Sequence, residues 1–221
     1  MQPEHTASHG AKQEVDTIVS EDGHQFRLYH YEAKQPNSPV VIFWPALGTR
    51  AGYYQKLGQC LVENGITMVT CDWRGSGASS LRPSRYVNFG FRHLIEQDAE
   101  AVVAAVRKKY APANLWLAGH SLGGQIAALY TSAKPIGISG VIIVASGSPL
   151  ADGYTGRIRF GISLLARLIK PIGAGFGYFP GHKLGFGQIE ARGVMTDWAR
   201  IVKTGEYKIA GSLLNYETML S

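Results

Sequence analysis

Four short, mainly apolar runs, rich in β-branched and aromatic side chains, punctuate the first two thirds of the chain. They are Val40–Trp44 (VVIFW), Thr67–Cys71 (TMVTC), Leu115–Ala118 (LWLA) and Val141–Ala145 (VIIVA). A strand covered on one face alternates apolar and polar residues, whereas an unbroken apolar run marks a strand covered on both, as in parallel sheets. Helical patterns fall between the runs: Gly52–Asn64, Phe91–Tyr110 with an apolar stripe of Leu94, Ile95, Ala99, Val102, Val103 and Val106, and Leu122–Ser132. This alternation predicts an α/β fold, a mainly parallel sheet flanked by helices with right-handed crossovers. Upstream, Asp22-Gly23 between two β-type runs predicts a hairpin turn.

The texture changes after Pro149. Twelve of the 27 glycines lie in residues 150–220, and β-type runs stop. Arg157–Ile172 reads as a basic amphipathic helix with Ile158, Ile162, Leu165, Leu168, Ile169 and Ile172 near one face. Val194–Lys203 and Lys208–Leu220 read as shorter helices. The expected organisation is a mobile polar segment over 1–14, an α/β core over 15–149 and a helical, cap-like segment over 150–221.

Composition narrows the function classes. Hydrophobic residues make up 45% of the 221 and charged residues 17%, which excludes long disorder. The first residues, MQPEHTASHGAKQE, have neither the basic start nor the apolar centre of a secretory leader, and Cys60 and Cys71 lack metal or redox spacing. The expected location is the cytoplasm. Net charge is +6, with nine Lys/Arg against five Asp/Glu in 150–220, but the basic residues are scattered among apolar ones. Nucleic-acid binding needs a basic stripe on a recognisable module, so no nucleic-acid partner is expected. The basic helix leaves membrane-surface contact as a third reading. With no His/Cys ligand cluster and no G-x-x-x-x-G-K-[ST] loop, neither a metal nor a nucleotide cofactor is expected.

The chemistry concentrates at Gly119-His120-Ser121-Leu122-Gly123. The pattern G-x-S-x-G is weak alone, but here a buried strand runs into it and an Ala-rich helix leaves it. A serine on a sharp strand-to-helix turn adopts a strained backbone, and glycines on either side relieve crowding across that turn. Ser121 is therefore the candidate nucleophile. The N–H of Leu122, at the helix start, is one expected oxyanion donor, and the N–H of Leu47 in Pro45-Ala46-Leu47-Gly48, just after VVIFW, is the other. Asp72 and Arg74, in DWRGSGASS (72–80), are expected to hydrogen-bond the loops near Ser121 rather than to catalyse.

These three segments resemble the α/β-hydrolase superfamily, and within it the serine aminopeptidase / monoacylglycerol lipase-like branch of bacterial hydrolases. GHSLGG resembles the nucleophile elbow, DWRGSGASS the D-x-R-G-x-G-x-S segment, and PALG stands where that branch has H-G-x-G, with Pro45 and Ala46 as departures. The resemblance implies a serine hydrolase acting on a small or lipophilic carboxylic ester, less readily an amide, through an acyl-enzyme. It also implies a triad acid and histidine after the nucleophile, following two strands expected to be absent from this chain. The substitutes on offer are His182 as base and Asp152 as acid; His120 is expected to point away from Ser121 Oγ, and Asp197 to be an ordinary helix residue. Serine without a base is a poor nucleophile, so the alternative is a catalytically inactive binding protein of the same fold. Without the last two strands, the VIIVA run would form an exposed sheet edge open to self-association.

Overall fold

The computed structural model describes residues 13–185 and 187–220. Most of the polar leader expected to be mobile therefore lies outside the described residues, while Gln13 and Glu14 already belong to a strand. The main sheet has six strands, β1 (Gln13–Val19), β2 (Gln25–Tyr31), β3 (Val40–Trp44), β4 (Thr67–Cys71), β5 (Leu115–His120) and β6 (Gly140–Val144), in the order β1-β2-β4-β3-β5-β6. The Asp22-Gly23 turn joins β1 to β2 as an antiparallel hairpin, with Gly23 at φ +82° and its N–H on Ser20 O. β2 pairs antiparallel with β4, and β4, β3, β5 and β6 run parallel.

Helices α1 (Gln55–Glu63), α2 (Glu100–Tyr110) and α3 (Leu122–Ala133) make the crossovers. A wider π-helical stretch, His93–Ala99, precedes α2 and completes the long helix read from the sequence. Every residue of β3 and β4 is buried, including the two threonines of β4. Ile42, Trp44, Val69, Leu117, Ile126 and Tyr130 meet in the core between the sheet and the α2–α3 layer.

β6 departs from the reading of a strand buried on both faces. Ile142, Ile143 and Val144 are 44%, 51% and 43% exposed. The reason is topological: β6 is the end of the sheet, bonded to β5 alone among the described residues. It occupies the edge position that the missing-strand argument assigned to it.

Beyond residue 150 the chain is mostly helical: α4 (Gly156–Phe176), α5 (Arg192–Thr204) and α6 (Tyr216–Leu220). Two corrections apply. β7 (Phe179–Pro180) and β8 (Ile189–Glu190) form a small antiparallel pair, too short to leave an alternating signature. The helix expected over Lys208–Leu220 is reduced to α6: Ile209 and Tyr216 are buried, but Leu213 and Leu214 between them are exposed. The inner face of α4 packs as the amphipathic pattern requires: Ile162, Leu165, Ile169 and Ile172 lie against Phe179, Met195, Ala199 and Val202. Ile158 and Leu168, read onto that face, are instead exposed. No helix among the described residues is long and apolar enough to cross a membrane.

Candidate active site

β5 leads directly into Ser121, which caps α3 at φ 52°, ψ −118°, a backbone conformation that non-glycine residues rarely occupy. The strain is held from both sides. Ser121 N–H donates to Val144 O on β6 (3.0 Å), and Ser121 O accepts from Gly124 N (3.0 Å) and Gln125 N (3.3 Å). The flanking glycines are there because of close approach. A Cβ on Gly119 would sit 2.1 Å from Gly123 C, and one on Gly123 would sit 2.0 Å from Trp44 O. The elbow therefore rests directly on the end of β3. Gly123→Ala forces α3 off β3 and should lower stability by about 3 kcal/mol or more, read from the urea midpoint. An unchanged midpoint would mean that α3 is not seated on Trp44.

Leu122 is the first residue of α3, so its N–H has no partner within the helix. The loop after β3 is pinned by its neighbours. Ala46 N–H donates to Tyr54 Oη (3.0 Å), Thr49 N–H to Ala46 O (3.1 Å) and Trp73 Nε1–H to Pro45 O (2.8 Å). Leu47 N–H makes no hydrogen bond among the described residues. Ser121, Leu122 and Leu47 share the wall of one cavity of about 270 Å³ with Gln125, Tyr154 and Trp198. Those last three wall residues escaped the sequence reading. Gln125 carried a usable signal, since it lies one helical turn past Ser121 on α3; Tyr154 and Trp198 come from distant segments and carried none.

The histidine and acid assignments fare differently. His182 sits in the turn after β7, exposed, with its N–H on Gln188 O (3.0 Å), and it lines no part of the Ser121 cavity. The short β7–β8 hairpin keeps it at the surface. Asp152 is 71% exposed at its side chain and paired with Arg159 (2.6 Å), one helical turn into α4. His182 does not reach Ser121, and Asp152 pairs with Arg159 rather than with a histidine, so the geometry corrects both substitutes. His120 behaves as expected: its Nδ1 lies 3.0 Å from Tyr54 Oη, so it braces the Pro45–Gly48 loop. Ser121 Oγ has no hydrogen-bond partner among the described residues. Asp197 is an α5 residue, buried, accepting from Phe91 N–H (3.0 Å); burial pushes its carboxyl up. Burial also raises Glu190, which lies against Gly48 and accepts from Gln188 N–H (2.7 Å).

Asp72 is structural. Its carboxylate accepts from Ala51 N–H (3.0 Å), Ala78 N–H (2.9 Å) and Tyr29 Oη (2.7 Å). Arg74 departs from its expected role at the loops near Ser121. Its guanidinium donates to Asp98 (2.9 and 2.6 Å) and to Asp22 (2.5 and 3.1 Å). Around that pair lies an arrangement the sequence did not reveal. Ser79 Oγ is 2.9 Å from His24 Nε2, and His24 Nδ1 is 3.0 Å from Asp98 Oδ1. The order is that of a serine–histidine–aspartate relay, but it is not a second active site. Ser79 Oγ also accepts from Gly75 and Leu81 N–H, all three side chains are buried, and Asp98 is neutralised by Arg74. It fastens the Asp72–Leu81 loop to the β1–β2 hairpin and the π-helical stretch.

Residues 35–197 match the family model described as serine aminopeptidase, S33. The chain belongs to this family. Among curated proteins, this family member is 25% identical to a monoglyceride lipase of Rattus norvegicus over 143 residues, 65% of this chain and 46% of that protein. It is 27% identical to protein phosphatase methylesterase 1 of Candida albicans over 126 residues, 57% of this chain and 33% of that protein. Among solved structures, a thermostable carboxyl esterase from Bacillus coagulans superposes with a TM-score of 0.56 at 20% identity, covering 74% of this chain and 51% of that one. The family member therefore has the α/β-hydrolase fold, and it spans about half the length, or less, of the curated relatives it matches.

Proposed function

We propose that the protein is a carboxylic ester hydrolase working through an acyl-enzyme on Ser121. The observation that carries this is the strained Ser121 at the β5–α3 junction, sharing a cavity with Leu122 and Leu47. Ser121 Oγ attacks the ester carbonyl carbon, and the oxyanion accepts hydrogen bonds from the N–H groups of Leu122 and Leu47. Collapse breaks the acyl C–O bond and the alcohol departs with a proton. Water then attacks the acyl-enzyme, releasing the acid and restoring the serine. Relatives named as lipase, methylesterase and esterase support esters over amides. Leu47, Tyr154 and Trp198 in a cavity of about 270 Å³ support a short lipophilic acyl group. The helical segment 150–221 serves as the cap, since Tyr154, Val194 and Trp198 wall the cavity from that side.

A second reading is a binding protein of the same fold. It is favoured by one observation: among the described residues no imidazole reaches Ser121. Release of p-nitrophenolate from p-nitrophenyl butyrate separates the two. The hydrolase reading expects the wild-type chain to exceed Ser121→Ala, and equal rates would leave the binding reading.

A further inference from the structure

A larger cavity, about 940 Å³, lies on the other side of the Pro45–Gly48 loop. Arg50, Arg82, Tyr53, Ser76 and His120 are in its wall, and none of the residues lining it is acidic. The two arginines lack counter-charges. The Arg50 side chain makes no ion pair or hydrogen bond among the described residues, whose arginine–carboxylate pairs involve Arg74, Arg92, Arg159 and Arg200. Arg82 donates to the carbonyls of Gly77 (2.7 Å), Ser79 (2.6 Å) and Leu81 (2.6 Å), which fixes its guanidinium without neutralising it. Two carboxylates lie behind the wall. Asp72, beneath Gly77, is already held by Ala51, Ala78 and Tyr29, and Glu190 borders the small adjoining cavity behind Gly48.

Guanidinium groups recognise carboxylate and phosphate oxygens by paired hydrogen bonds, and a concave wall of one sign concentrates the opposite ion. We infer that this cavity binds the anionic end of a small organic ligand, a carboxylate or a phosphate, through Arg50 and Arg82. The cavity shares His120 with the peptide that carries Ser121, and the intervening small cavity joins its wall to that of the Ser121 site at Gly48, Leu47 and Leu122. Whether such a ligand is also the substrate of Ser121 rests on the ester-hydrolase reading; binding in the cavity does not.

The test is an amide NMR titration of the full chain at constant ionic strength, with inorganic phosphate in one arm and acetate in the other. The expected result is saturable shifts at Gly48, Gly52, Gly75 and Gly77, with affinity reduced about tenfold or more in Arg50→Gln. Saturation by phosphate alone, by acetate alone or by both identifies the group preferred. Arg82→Gln should weaken binding too, but it also releases three carbonyls, so the exposed Arg50 carries the test. Shifts without saturation, shifts spread over the whole basic surface, or an affinity unchanged in Arg50→Gln would overturn the inference. Labelling of Ser121 by a fluorophosphonate, measured separately, reports on the hydrolase reading whatever the titration shows.

Discussion

Asp98→Ala should lower the unfolding free energy by about 3–5 kcal/mol, a large share of the roughly 5–15 kcal/mol available to a domain. The Asp98 and Arg74 side chains are each 1% exposed. Removing the carboxylate leaves a buried guanidinium with Asp22 alone as ionic partner, and strips Ser20 Oγ and His24 Nδ1 of their acceptor. Both variants leave the guanidinium charge behind, but Asp98→Asn keeps a carbonyl acceptor for the buried donors and should cost less than Asp98→Ala. Acid reports on the same contact. Burial alone would raise the Asp98 carboxyl, but hydrogen bonds from Arg74 and His24 outweigh it and hold the group below its ordinary 3.8. A carboxyl depressed in the folded state stabilises above its unfolded value and loses that contribution as pH falls through the folded one. Wild-type stability should therefore fall steeply below about pH 4, and the slope should be shallower in Asp98→Ala. Urea midpoints at neutral pH and at successive acid values read both effects; a neutral-pH loss under about 1 kcal/mol would mean the network is not a fastening.

Elements with strong local causes could be read in the sequence. β3 and β4 have the boundaries read for them, because both are β-branched- and apolar-rich runs covered on both faces. The elbow was legible because the demand on Gly119 is made within five residues, by Gly123 and Gly124, although the demand on Gly123 comes from Trp44 on β3. What failed was set by distant partners. Ser79 and His24 stand 55 residues apart, and His24 and Asp98 stand 74 apart, so only the folded sheet shows that they meet. In 208–220 only Ile209 and Tyr216 are buried while Leu213 and Leu214 between them are exposed, and the helix there shrank to α6. The histidine and acid substitutes were chosen by residue type and chain order, which constrain distance weakly; His182 and Asp152 both finished at the surface.

The second large effect is on Ser121 itself. The oxyanion donors and the strained turn remain when the hydroxyl is removed, so Ser121→Ala should keep the fold and lose covalent chemistry entirely. The wild-type reaction should be slow, since Ser121 Oγ lacks an imidazole partner among the described residues, and loss of a triad base typically costs on the order of 10⁴–10⁶ in turnover. Intact mass after prolonged incubation with a fluorophosphonate is the most direct measurement. The account predicts a gain of one phosphonyl group on the 24.0 kDa chain, absent in Ser121→Ala. No gain in the folded wild-type chain, or an equal gain in the variant, would contradict the assignment of Ser121 as nucleophile.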